Sequence, residues 1–340
     1  MVNLTDFSTG GGCGCKVSPE ILEKILKDIR RNVLPQNIDV GLKKSDDAAV
    51  YRIDNENSII LTTDFFIPIV DNPYHFGQIS ATNAISDIYA MGGKPILALS
   101  ILGIPTELVG VEVVRKIIDG ASEVCKKANI AIAGGHTIEI SQPFYGLVVL
   151  GKRNSKCIKK NENAHEKDDI ILTKPIGLGL YASAYKNKKI SDEEYKEFID
   201  ITTKLNKVGL EISKYKSVHA ITDVTGFGLL GHLTEICLAS GKSAEVFAEK
   251  VPLLKSVRKF IEQGLYSGAL GRNQNYYKEK ILFKCDDKSF YEKIFFDPQT
   301  SGGLLICSSK DLTDRILNIL KQGQFSLSKK IGEIKKKIII

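Results

Sequence analysis

The chain has 340 residues, 43% hydrophobic and 26% charged, with a formal net charge of +7. That length predicts two ordinary domains. No apolar run reaches the ~18 residues of a membrane span, no signal-peptide pattern opens the chain, and the scattered lysines form no nucleic-acid motif. Neither a membrane nor a nucleic acid is therefore an expected partner. Seven cysteines, odd in number and dispersed, argue against a disulfide framework and for a reducing, cytoplasmic compartment.

In chain order, Gly10 to Lys16 reads Gly-Gly-Gly-Cys-Gly-Cys-Lys. So many glycines predict a mobile or tightly turned loop, and the lysine beside the thiols favours a thiolate. A disordered terminus that happens to contain cysteine is the plain alternative. Ser18-Pro19 reads as a helix start, and Ile21, Leu22, Ile25, Leu26 and Ile29 continue it at helical spacing. Strands are predicted over 58–63, 96–102, 130–133 and 145–150. Helices are predicted over 77–91, closed by Gly92-Gly93, and over 110–128. The polar segment 154–169 reads as a linker. Beyond it come a strand over 170–173, a turn at Pro175-Ile176-Gly177, and helices over 178–186, 192–213 and 229–240. A strand over 304–307, a helix over 311–322 and a closing strand over 330–340 complete the reading. The class is α/β.

Four acidic sites lie at strand ends, turns or beside small residues: Asp46-Asp47, Asp64, Asp87 and Asp223. Carboxylates gathered from separate segments are the hard oxygen donors that Mg²⁺ and polyphosphate chemistry need. Each alone is more readily read as a turn or cap residue. Ser80, Asn83 and Asp87 fall at i, i+3 and i+7, on one helix face among small residues. An unpaired carboxylate there implies a cation or an open cleft. Gly134-Gly135-His136-Thr137 follows a short apolar strand, where backbone N–H groups can hold phosphate. His136 could equally be a hydrogen-bonded core histidine. No Walker A loop is present.

Taken together, these motifs carry a family. Gly12-Cys13-Gly14-Cys15-Lys16, Asp46-Asp47-Ala48-Ala49-Val50, Thr62-Thr63-Asp64-Phe65-Phe66, the run Ala81 to Gly93, Gly134 to Thr137, Thr222 to Gly228 and Pro298 to Gly303 occur in the order and spacing of selenophosphate synthetase (selenide, water dikinase). The chain resembles that family along nearly its whole length. The Asp and Gly motifs are shared with the wider aminoimidazole-ribonucleotide-synthetase-like ATP enzymes, and the Cys-Lys loop narrows the match. The resemblance implies a two-domain fold of that type, with N-terminal strands pairing in a homodimer. The expected divisions are a catalytic loop and helix over 1–45, an ATP/Mg-binding and dimerisation domain over 46–154, and a C-terminal α/β domain over 165–340. The implied reaction turns ATP, selenide and water into selenophosphate, AMP and phosphate. By motif, Cys13 and Lys16 are the catalytic positions, and Asp47, Asp87 and Asp223 are the Mg²⁺ ligands. Lys16, Lys44, Ser45, Asp46, Asp64, Asp87, Gly135, His136 and Thr137 fall where the family contacts the nucleotide. A glycine-rich lid over the first 16 residues, ordered by bound nucleotide, is the expected means of excluding water. The competing readings are a related enzyme using the same ATP site on another substrate, which the Cys13–Lys16 loop disfavours, and a non-catalytic selenium carrier or regulatory paralogue. The last should have lost Cys13 or part of the Asp set, and this chain keeps both.

Overall fold

The computed structural model describes residues 3–7, 11–29 and 33–336. Parts of the expected lid (1, 2 and 8–10) and of the closing strand (337–340) lie outside the described residues.

Two sheets organise the molecule. The first contains β1 (Ile38–Val40), β2 (Ala49–Arg52), β3 (Asn57–Phe66), β4 (Lys94–Ile104), β5 (Ile132–Glu139) and β6 (Phe144–Asn154), in the order β1-β2-β3-β6-β4-β5. Its pairs are antiparallel except β4 with β5, which are parallel. Two helices connect its strands: α2 (Pro73–Ala90) joins β3 to β4, and α3 (Val111–Lys127) joins β4 to β5. The short helix α1 (Pro19–Leu26) precedes the sheet, capped by Ser18 as its sequence signal predicts. The second sheet has the order β8-β10-β7-β11-β9, with β7 at Asp169–Leu172, β8 at Val218–Asp223, β9 at Ser243–Val246, β10 at Leu304–Ser308 and β11 at Lys329–Lys335. Around it lie α4 (Leu178–Lys186), α5 (Asp192–Thr202), α6 (Val208–Ile212), α7 (Gly228–Ser240), α8 (Val257–Glu262), α9 (Leu270–Tyr277), α10 (Lys288–Phe295) and α11 (Thr313–Gln322).

Helix α2 joins the two halves. It starts four residues' worth of chain before the expected Gly77, because Asn72 caps it at His75 N–H and Pro73 suits its first turn. Ile79, Ala84, Ile85 and Ile88 are fully buried, and so are Ser80, Thr82 and Asn83. A helix buried all round has no solvent face to mark with charge. Its hydroxyls are satisfied internally: Ser80 donates to Phe76 O and Thr82 to Gln78 O, both at 2.8 Å. Ser80 therefore does not join Asn83 and Asp87 at the site.

Two expectations are corrected. Segment 154–169 is not a loose linker: Ile158, Lys159, Asn161, Ala164 and Asp168 are buried. The helix expected over 192–213 is interrupted between α5 and α6. The hydroxyls of Thr202 and Thr203 fold back on Phe198 O and Ile199 O at 2.7 Å, and Asn206 turns inward to Ser86 Oγ (2.8 Å) and Gly302 O (2.9 Å). Inward hydrogen bonding by these polar residues replaces helical continuation.

Helices α2 and α3 meet at glycines. A Cβ on Gly120 would lie 2.0 Å from Tyr74 O, on helix backbone that cannot swing aside. Gly120→Ala should therefore destabilise the protein by about 1–3 kcal/mol, as overpacking does. A lowered urea midpoint at constant slope checks this; an unchanged midpoint contradicts it.

Candidate functional site

The site is laid down by strand β3 facing helix α2. Alternate β3 residues Ser58, Ile60, Thr62 and Phe66 point inward. Two residues along a strand span roughly 6.7 Å, and four along a helix roughly 6 Å. Two cross-links at matched spacing result: Thr62 Oγ1 donates to Asp87 Oδ2, and Asn83 Nδ2 to Asp64 Oδ2, each at 2.5 Å.

Onto this ladder the second domain brings Asp223, at the end of β8, and the first brings Asp47, just before β2. Asp47, Asp87 and Asp223 each offer a carboxylate oxygen, all within 4.8 Å of one another. Thr222 Oγ1 donates to Asp47 Oδ1 at 2.7 Å across the domains. Asp47 Oδ2 and Asp223 Oδ2 are buried without a hydrogen-bond partner among the described residues. Burial pushes all three carboxyls above the usual carboxylate range. The charge of Asp223 adds to this for Asp47 and Asp87. Crowded acceptor oxygens, two of them unpartnered, fit a hard cation such as Mg²⁺.

The Cys-Lys segment closes over the ladder. Gly12–Cys15 forms a single 3-10 turn, and Cys13 is 1% exposed. Cys13 N donates to Thr300 Oγ1 at 3.0 Å, and its thiol donates to Asn83 Oδ1 at 3.1 Å. Lys16 Nζ lies 4.0 Å from Asp64, with the lysine side chain 38% exposed. The segment descends onto Gly226, where a Cβ would stand 2.7 Å from Cys13 O and 2.9 Å from Lys16 Cδ. That close approach accounts for the glycine in Thr222 to Gly228. Asp64 holds the Lys16 amine protonated well above its ordinary range. For Cys13 the outcome departs from the sequence reading. Burial pushes its pKa well up, Asp64 adds to this, and Lys16 opposes without prevailing. Cys15 is exposed.

The other expected residues are placed unequally. Asn161 clips the turn beside Asp47: its N–H donates to Asp46 Oδ1 at 2.7 Å and its amide to Ser45 O at 2.8 Å. Burial raises Asp46 to about 6 against that N–H. Lys44 reaches outward, to Ala239 O at 3.2 Å and Glu162 at 3.9 Å. Gly135, His136 and Thr137 continue the strand that they were expected to follow. They lie within β5, exposed, at the sheet edge three strands from β3. At roughly 4.8 Å per strand that is about 14 Å from the ladder, so one chain does not gather them with the carboxylates. Residues the sequence reading left without a role are Thr62, Thr222, Thr300 and Ser301. Each lies inside a quoted motif, but its partner is remote in sequence.

Family comparisons agree with this architecture. The family described as "AIR synthase related protein, N-terminal domain" matches residues 45–152, and "AIR synthase related protein, C-terminal domain" matches 166–338. A solved structure described as "AaThiL complexed with AMPPCP and TMP" has a TM-score of 0.67 and 17% identity, covering 94% of this chain and 91% of that one. Fold and family matches thus define an AIR synthase related protein. The "Selenide, water dikinase" of Dechloromonas aromatica (strain RCB) is 44% identical over 333 residues, 98% of this chain and 96% of the relative. That of Pasteurella multocida (strain Pm70) is 45% identical over 326 residues, covering 96% and 92%. The chain belongs to the selenide, water dikinase family.

The raised carboxyls set a sign for stability. A carboxyl whose folded pKa exceeds its unfolded value withdraws stability as pH climbs from the unfolded value through the folded one. Metal-free protein should therefore lose stability toward alkaline pH. At pH 8, Asp223→Asn should raise its Tm by about 2–4 °C for each kcal/mol of repulsion relieved, while shrinking the further rise that added Mg²⁺ produces. Differential scanning fluorimetry with and without Mg²⁺ reads both. A lowered metal-free Tm with an intact Mg²⁺ response contradicts the reading.

Proposed function

We propose that this chain makes selenophosphate from selenide and water using ATP, with AMP and phosphate as the other products. The carrying observation is that Cys13 and Lys16 are both tied to the α2–β3 ladder, which also holds Asp87 beside Asp47 and Asp223. A relative acting on another substrate with the same ATP site has no need of a thiol so placed.

Asp47, Asp87 and Asp223 would hold Mg²⁺, which would supply positive charge to neutralise the phosphates. Lys16, half-exposed and fully protonated, swings toward the phosphates as a mobile cation. Its salt bridge to Asp64 is long enough to be exchanged for a phosphate oxygen. Asn83 orients the Cys13 thiol through Oδ1 while its amide is fixed on Asp64. Selenide held against Cys13 attacks the γ-phosphorus of ATP, so that the Se–P bond of selenophosphate forms as the Pγ–O bond to the β-phosphate breaks and ADP leaves; water then hydrolyses that ADP to AMP and phosphate. Burial of Cys13 keeps bulk water from the first transfer.

A second copy of the chain is part of this reading. Tyr51, Leu61, Phe65, Ile96, Leu99 and Ile138 leave the first sheet with an exposed apolar face, larger in character than scattered surface residues. Pairing two such faces would bring the β5 edge of one copy toward the nucleotide of the other. That would let Gly135, His136 and Thr137 contact the nucleotide held by the other copy.

Two measurements test the proposal. Wild-type protein should form AMP from ATP only when selenide is supplied. Cys13→Ser should lose that activity by about 10²-fold or more, as removal of a reacting or orienting group does, with Mg·ATP affinity nearly unchanged. Selenide-independent AMP formation, or full activity in Cys13→Ser, contradicts it. Light scattering should give twice the chain mass at micromolar concentration, and Phe65→Asp should halve it; a wild-type monomer contradicts the pairing.

A further inference from the structure

Lys174 is 1% exposed and has no carboxylate partner among the described residues. It lies two residues past β7, against the glycine pair that opens β10; a Cβ on Gly303 would stand 2.4 Å from Lys174 N. Its Nζ donates to Lys204 O at 2.6 Å and Ser301 O at 2.8 Å. Burying an amine this deeply is costly unless its hydrogen bonds are used. Burial draws its pKa down to about 7, with the Lys204 ammonium adding and Asp223 opposing. Charged or neutral, the amine keeps the two N–H groups that these carbonyls need.

Ser301 is where those bonds matter. It sits at φ +53°, a left-handed conformation that a non-glycine residue holds only when its surroundings enforce it. Its N–H donates to Asn83 Oδ1 at 2.8 Å and its hydroxyl to Ile79 O at 3.0 Å. Thr300, one residue earlier, receives Cys13 N–H. The same Asn83 oxygen receives the Cys13 thiol. Both anchors of Cys13 thus hang on the 300–301 turn, and the carbonyl of that turn is held by Lys174.

We infer that Lys174 is a positioning residue for the reaction: by fixing Ser301 O on the far side of the turn, it sets where Thr300 and Asn83 hold Cys13. The inference rests on the function proposed above for Cys13.

Lys174→Met removes the two donors and the buried amine together while nearly keeping volume. Selenide-dependent kcat should fall by about 10²-fold, the effect of an ångström-scale misplacement, with KM for ATP within about threefold. Alkylation of Cys13 by iodoacetamide, read on its peptide by mass spectrometry, should become faster in the same variant. Thr300→Val should give a similar loss, and the double variant should be no worse than the poorer single one, since both act through one turn. Lys174→Gln, which keeps an N–H₂ on a shorter arm, should lie between wild type and Lys174→Met, and it replaces the Met variant if that does not fold. Unchanged kcat and unchanged Cys13 alkylation in folded Lys174→Met overturn the inference, as does full additivity with Thr300→Val. Wild-type protein without selenide-dependent activity would instead count against the proposed function, and the alkylation comparison would still decide the role of Lys174.

Discussion

Three carboxylates crowded into a space that water only partly reaches are the constraint around which the molecule is arranged. Asp47, Asp87 and Asp223 repel one another, and burial penalises each charge further. Lys16 offsets part of the charge of Asp87 and Asp223, and His232 part of that of Asp223, yet burial still prevails. Thr62 and Thr222 each satisfy one oxygen of Asp87 and Asp47, and two further oxygens stay without partners. Such a cluster is unfavourable in the bare protein and becomes favourable only with a cation. A site of this kind stores affinity by keeping acceptors pre-aligned, and it does so across a domain boundary.

The domain boundary is held by α2. Its side toward β3 carries Asn83 and Asp87, while Ser86 and Ile79 O meet the second domain through Asn206 and Ser301. One helix therefore positions a carboxylate, orients the Cys13 thiol and docks the halves. The Cys-Lys segment inherits this order. Its backbone rests on Thr300, its thiol on Asn83, and its path crosses Gly226. A segment rich in glycine, which free in solution would sample many conformations, is thereby seated in one.

How much of this was readable beforehand depended on distance along the chain. Asp87 with Asn83 could be placed on one helix face from spacing alone, and Asp47 and Asp223 could be matched by motif. Long periodic elements such as α3 and α7 also agree with their sequence patterns. Strand β8, of six residues, and helices α8, α9 and α10, of eight residues or fewer, are too brief to display a period. The α5–α6 break was hidden because the partners that draw Asn206 inward, Ser86 and Gly302, are remote in sequence. The upward push of burial on the Cys13 thiol was hidden for the same reason. Lys16 is a visible neighbour in the sequence, whereas the burial that outweighs it comes from the 300–301 turn and α2. Gly135, His136 and Thr137 form a recognisable motif, but only sheet order reveals that they stand at an edge away from the carboxylates.

The central claim is that carboxylates from both domains form one cation site, and Mn²⁺ electron paramagnetic resonance with a non-hydrolysable ATP analogue tests it most directly. Wild-type protein should bind Mn²⁺ in the presence of the analogue. Asp87→Asn from the first domain and Asp223→Asn from the second should each weaken that binding by at least the ~10-fold that loss of even an outer-shell partner costs. Unchanged Mn²⁺ affinity in either variant would contradict a shared site.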